Sequence, residues 1–140
     1  MKILLAVDGS AYTEKMLAYL AAHDAMFGSD NDYTLITVQA PLPARARAAV
    51  GAETVNEYYE EESAKVTGAA LQLLKRSGIE AKTLHKVGAP GEQISKAADG
   101  GKFDLLVMGS HGHSALANLV MGSVATQVLA HCGVPVLLVR

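Results

Sequence analysis

Gly109-x2-Gly112-x9-Gly122-Ser123, within "MGSHGHSALANLVMGSVA" (108–125), brings together residue types that handle anions. Glycines let a ligand approach the backbone, and Gly109 and Gly112 are expected to use positive φ to do so. If a helix opens at Gly122–Ser123, its first N–H groups and its dipole form an anion site, with the Ser123 hydroxyl as a further donor. His111 and His113 are possible bases, or donors when protonated. The stretch has no lysine, arginine, aspartate or glutamate. Fast phosphoryl transfer needs charge stabilisation and a positioned nucleophile. The chemistry expected is therefore phosphate holding by backbone amides, with a divalent ion supplying the remaining charge and hydrolysis slow at most. The plainer reading is a flexible loop with a serine cap. The length of the pattern favours the first. "GAPG" (88–91) repeats Gly-x2-Gly, and there a turn before a helix is the better reading.

Two other phosphate motifs are absent from the sequence. No Gly-x4-Gly-Lys-Ser/Thr occurs, and "VDGSAYTEK" stands where a Gly-x-Gly-x-x-Gly dinucleotide fingerprint would follow the first strand. That segment carries Asp8 instead. A carboxylate there can accept from ribose or adenine, or hold a metal through water. It can equally cap a helix, a task that Ser10 or Thr13 could share.

These residues need a scaffold. Apolar runs at 2–7, 33–38, 81–87, 104–109 and 135–140 read as strands, four of them continuous enough to be buried on both faces. The third alternates, and Lys82 and Lys86 mark it as an edge strand. Helical patterns run over 13–27, over 53–75 with Gly78 as a left-handed cap, from Pro90 to the Gly100–Gly101 pair, and through Val124, Ala125, Val128, Leu129 and Cys132. Ala40–Ala52 has no regular pattern and reads as a mobile loop. Alternating strands and helices imply a parallel α/β sheet with right-handed crossovers. Ligands bind such sheets beyond the strands' carboxyl ends at the switch point, between the first and fourth strands, which brings Asp8 to the glycine loop.

The 140 residues fit one domain, residues 1–140. A net charge of −2 argues against nucleic acid as partner. No run approaches the roughly 20 apolar residues of a membrane span. Cys132 is the one cysteine, so no internal disulfide can form, and a cytoplasmic location is expected.

On "KILLAVDGS" and "DLLVMGSHGHSALANLVMGSVATQVLAHCGVPVLLVR" the chain resembles the universal stress protein family, in its nucleotide-binding branch. The resemblance implies a five-stranded parallel sheet of order 3-2-1-4-5 and a homodimer. It also implies ATP (or AMP or ADP) in the crevice, often with Mg2+ or Mn2+. Carried over by position, Asp8 meets adenine or ribose, with Ser10 nearby, and Val38 meets the adenine edge through its backbone. Ala6 and Val7 line the base pocket, with Met108 close by. Gly109, Gly112, Gly122, Ser123 and Val124 contact ribose and phosphates, and His111 falls near the phosphates. The chain departs from the family in having Thr37 where a histidine often follows the second strand's β-branched run. The apolar last strand at a sheet edge calls for a cover, which a twofold copy would provide. The expected function is an ATP-binding sensor or regulatory module with an unknown protein partner. The alternatives are a slow ATPase or nucleotidyl-transfer enzyme, and a nucleotide-free, chaperone-like protective dimer.

Overall fold

A computed structural model describes residues 1–113 and 120–140. The elements are β1 (Lys2–Ala6), α1 (Ala11–Ala22), α2 (Asp24–Phe27), β2 (Asp32–Gln39), α3 (Ala44–Val50), α4 (Ala52–Arg76), β3 (Ala81–Val87), α5 (Pro90–Gly100), β4 (Leu105–Gly109), α6 (Ser123–His131) and β5 (Val136–Val139). The strands form one sheet of order β3-β2-β1-β4-β5, and every pair is parallel. This is the expected α/β fold, with the lysine-bearing β3 at one edge and β5 at the other.

The centre of the sheet follows from composition. Ile3, Leu4 and Leu5 are all fully buried, because β1 has a strand on each side and helices on each face. Side chains alternate between faces. Ile3, Leu5 and Val7 pack with Met16, Leu17 and Leu20 of α1 and Ala70 and Leu74 of α4. Leu4 and Ala6 pack on the other face with Ile94 and Ala98 of α5 and Ala125 and Val128 of α6. Each large side chain buried this way stabilises the fold by about 1.5–3 kcal/mol. The two layers clamp the strands, so the carboxyl ends of β1, β2 and β4 are held in fixed relation.

Helix ends follow local chemistry. Pro90 opens α5, where its missing N–H costs nothing. Gly78 takes φ +74 after α4, and the Gly78 and Ile79 N–H groups close on Lys75 and Leu74 carbonyls.

Two expectations need correction. The stretch 40–52 is not wholly irregular, since 44–50 forms α3 between Pro43 and Gly51. Alanine and arginine are strong helix formers, but none of its residues is buried, so it shows no apolar period. The single helix expected over 13–27 is broken at His23, which leaves helical geometry (φ −124, ψ 52) between α1 and α2. The His23 ring stacks on Tyr19 with centroids 4.1 Å apart, and Phe27 still reaches the core.

Candidate nucleotide site

A cavity of about 490 Å3 opens where β1 and β4 end and their chains diverge to opposite faces. Its size is within the usual range for small-molecule sites. Ala6, Val7, Asp8, Val38, Met108, Gly109, His111, Gly112, Gly122, Ser123 and Val124 all line it. Ser10 does not. Asp8 Oδ1 accepts the Ser10 N–H at 2.9 Å, and that tight turn carries Ser10 into the start of α1, where it is buried.

Asp8 is held from several sides. Its Oδ1 also accepts the Thr13 hydroxyl at 2.8 Å, while its N–H donates to Thr13 Oγ1 at 3.0 Å. Ser10 occupies the N-cap position of α1 but makes no side-chain cap bond. Asp8 thus shapes the turn without being the cap. The other oxygen, Oδ2, faces Gly112, where an added Cβ would come within 2.9 Å of it. His113 Nε2 lies 2.6 Å from the Asp8 carbonyl oxygen. A carbonyl only accepts, so Nε2 carries the proton. This bond ties the start of the loop to the end of β1.

The loop's glycines serve close approach rather than left-handed backbone. Neither Gly109 nor Gly112 has positive φ. A Cβ on Gly109 would lie 2.7 Å from Tyr12 Cβ, and one on Gly122 would lie 3.1 Å from His111 Cα and 3.2 Å from the Ser110 carbonyl oxygen. The two ends of the loop are joined where the Gly122 N–H donates to the Ser110 carbonyl at 2.7 Å. Residues 114–119 of the motif lie outside the described residues. Gly122 is the N-cap of α6, and the first intrahelical bond runs from the Thr126 N–H to the Gly122 carbonyl at 3.0 Å. The amides of Ser123, Val124 and Ala125 precede that bond and stand at the cavity wall.

The opposite end of the cavity presents a donor and acceptor from β2. Peptide groups along a strand alternate between its two neighbours. The Ile36 carbonyl accepts the Val7 N–H at 2.9 Å on the β1 side, and the Gln39 carbonyl accepts the Gly88 N–H at 3.0 Å on the β3 side. Val38 is in phase with Ile36, but β1 has ended at Ala6. Its N–H and carbonyl are therefore directed past β1 toward the cavity that Val38 lines. Ile36, Ala40, Pro90 and Ile94 complete this apolar end. Sequence reasoning missed these four, as well as Ser110 and Ala125. For Pro90 and Ile94 the signal was the α5 start itself, which the sheet order places beside β2's end.

Among the described residues no group of three or more His, Cys, Asp or Glu side chains is placed to hold a metal ion. Cys132 is at the far end of α6, and burial pushes its thiol pKa up, which keeps it protonated.

The domain is a doubly wound α/β fold with an amide-lined crevice at its switch point, where sheets of this kind bind ligands. The chain belongs to the universal stress protein family, whose sequence pattern matches residues 1–140. It is 35% identical to a universal stress protein of Thermus aquaticus over 99% of this chain and 97% of that protein. It is 32% identical to one of Synechocystis, again over 99% of this chain, but spans only 42% of that longer protein. Among solved structures, a universal stress protein in complex with cAMP is 26% identical, with a TM-score of 0.67 over 100% of this chain and 97% of that one. A family member from Arabidopsis thaliana with AMP bound shares the fold at 16% identity, with a TM-score of 0.70 over 99% and 90% of the two chains. No helix among the described residues is long and apolar enough to cross a membrane.

Proposed function

We propose that this universal stress protein is an adenine-nucleotide-binding module that takes ATP, ADP or AMP and acts as a sensor rather than a fast enzyme. One observation carries the reading. A single cavity has the Val38 peptide, past the end of β1, at one end and the N-terminus of α6 at the other. The Val38 pair suits the adjacent acceptor and donor of adenine's edge. The helix amides suit phosphate. Asp8 Oδ2, between them, suits a ribose hydroxyl. The complexes of relatives with cAMP and AMP support the same ligand class. A divalent ion such as Mg2+ or Mn2+ would be carried by the phosphates, and Ser123, at the cavity wall, offers a hydroxyl. The loop residues described supply no carboxylate for it. We further propose a cytoplasmic homodimer that pairs through the outer edge of β5.

Mass spectrometry of the denatured, purified protein tests the ligand, and calorimetry with ATP, ADP, AMP, adenosine and GTP ranks it. Adenine compounds should bind and GTP should not. Absence of binding by every adenine compound overturns the reading. Turnover with Mg2+ well above background, abolished by His111→Ala, would replace the sensor with the slow-enzyme alternative.

A further inference from the structure

The phosphate end of the cavity has no cationic side chain on its own loop, yet a cation stands behind it. On α1, Lys15 Nζ sits 4.8 Å from the centroid of the Tyr12 ring. Tyr12 in turn packs on His111, centroids 4.8 Å apart and planes tilted by 33°. His111 lines the cavity, and its Nδ1 lies 2.7 Å from Ser110 Oγ. The stack is fixed at its base, since Gly109 leaves space only for Tyr12: a Cβ there would meet Tyr12 Cβ at 2.7 Å and the Tyr12 carbonyl oxygen at 3.2 Å. Two ring contacts in series keep the ammonium within roughly one Debye length, about 8–10 Å, of the imidazole. An anion beside His111 feels this charge, and a ligand with more phosphates brings more negative charge to interact with it.

We propose that Tyr12 and Lys15 form a charge-positioning pair that makes the site favour ligands with more phosphates. Tyr12 holds the His111 ring and anchors the Lys15 side chain. Lys15 supplies the positive field that the loop lacks. This rests on the phosphate-end assignment above but adds two residues outside the cavity wall and a rule for ligand choice.

The test is calorimetry of adenosine, AMP and ATP, and of inorganic tripolyphosphate alone, against the wild type, Lys15→Gln, Lys15→Arg and Tyr12→Leu. Thermal melts confirm that each variant is folded. Lys15→Gln should weaken ATP and tripolyphosphate by about three- to tenfold, AMP by about twofold and adenosine not at all, as expected of a screened charge at this range. Added salt should shrink the difference. Lys15→Arg should restore the wild-type order, and Tyr12→Leu should reproduce Lys15→Gln. Equal losses for adenosine and ATP, or no loss for either, overturn the proposal. If the wild type binds tripolyphosphate in a Lys15-dependent way but no adenine compound, the adenine reading fails and this one stands. If it binds adenine compounds without that dependence, the reverse holds.

Discussion

Gly88-x2-Gly91 and Gly109-x2-Gly112 have the same spacing and both fall where a strand ends, yet their glycines are required for different reasons. Gly88 takes φ +150 in the turn from β3, a conformation side chains rarely adopt. Gly91 lets α5 press on α6, since a Cβ there would lie 2.7 Å from Gln127 Cβ. Gly109 and Gly112 have ordinary backbone angles and instead admit Tyr12 and the Asp8 carboxylate. One pair sets a turn and a helix–helix distance. The other brings a carboxylate and an aromatic ring up to a cavity. What stands opposite the missing side chain, rather than the spacing, distinguishes a packing glycine from a site glycine.

This contrast can be broken or sharpened by substitution. The largest effect is expected from Gly122→Val, at the loop's closing end. Its side chain would press on the backbone of His111 and Ser110, which cannot yield as a flexible side chain does. Overpacking of about 1–3 kcal/mol borne by the binding geometry corresponds to roughly 5- to 150-fold weaker nucleotide binding. Unchanged affinity by calorimetry would remove the loop from the site.

Gly91→Ala should do the opposite. Urea unfolding should show about 1–3 kcal/mol lost as α5 and α6 are forced apart. Nucleotide affinity should fall far less than in Gly122→Val, because the strain is borne between α5 and α6 rather than by the backbone of the loop. A large loss of affinity with intact stability would erase the distinction between the two motifs.

Gly112→Ala comes next, with affinity reduced about tenfold, the equivalent of about 1.4 kcal/mol. The melting temperature should move little, because the new methyl meets Asp8 Oδ2 rather than the core. The smallest effect is expected from Thr13→Val. It removes the hydroxyl that joins the Asp8 N–H to Oδ1, costing about 0.5–1.5 kcal/mol of stability and loosening the carboxylate. Affinity for adenosine, which lacks phosphates, should fall by the same few-fold factor as for ATP.

How much of this was legible beforehand depended on where each residue's partner lies. β1, β2, β4 and β5 announced themselves because apolar runs must be buried. The parallel sheet, and with it the meeting of Asp8 and the glycine loop at a switch point, followed from strand–helix alternation, while the order 3-2-1-4-5 came with the family resemblance. Within the site, the Gly122–Ser123 helix start was readable because a helix end carries its own local signal, while Val38 was reached only through the family resemblance. Helix α3 was not legible, because a fully exposed helix has no apolar stripe to reveal it. Nor was the role of Gly109, since glycine's two uses, rotation and proximity, look alike until Tyr12 is seen opposite it. The Tyr12–His111 and His113–Asp8 contacts join residues about a hundred positions apart, and no local pattern encodes them.

Ser110 links parts of the molecule that are otherwise far apart in sequence. Its N–H is bonded to the Val139 carbonyl of β5 at 2.8 Å, its carbonyl to the N–H of the α6 cap at 2.7 Å, and its hydroxyl to His111 at 2.7 Å. One residue thus couples the outer strand to the amides at the cavity wall. The edge of the sheet at β5 and the anion-facing end of the cavity are thus two hydrogen bonds apart, through a single serine.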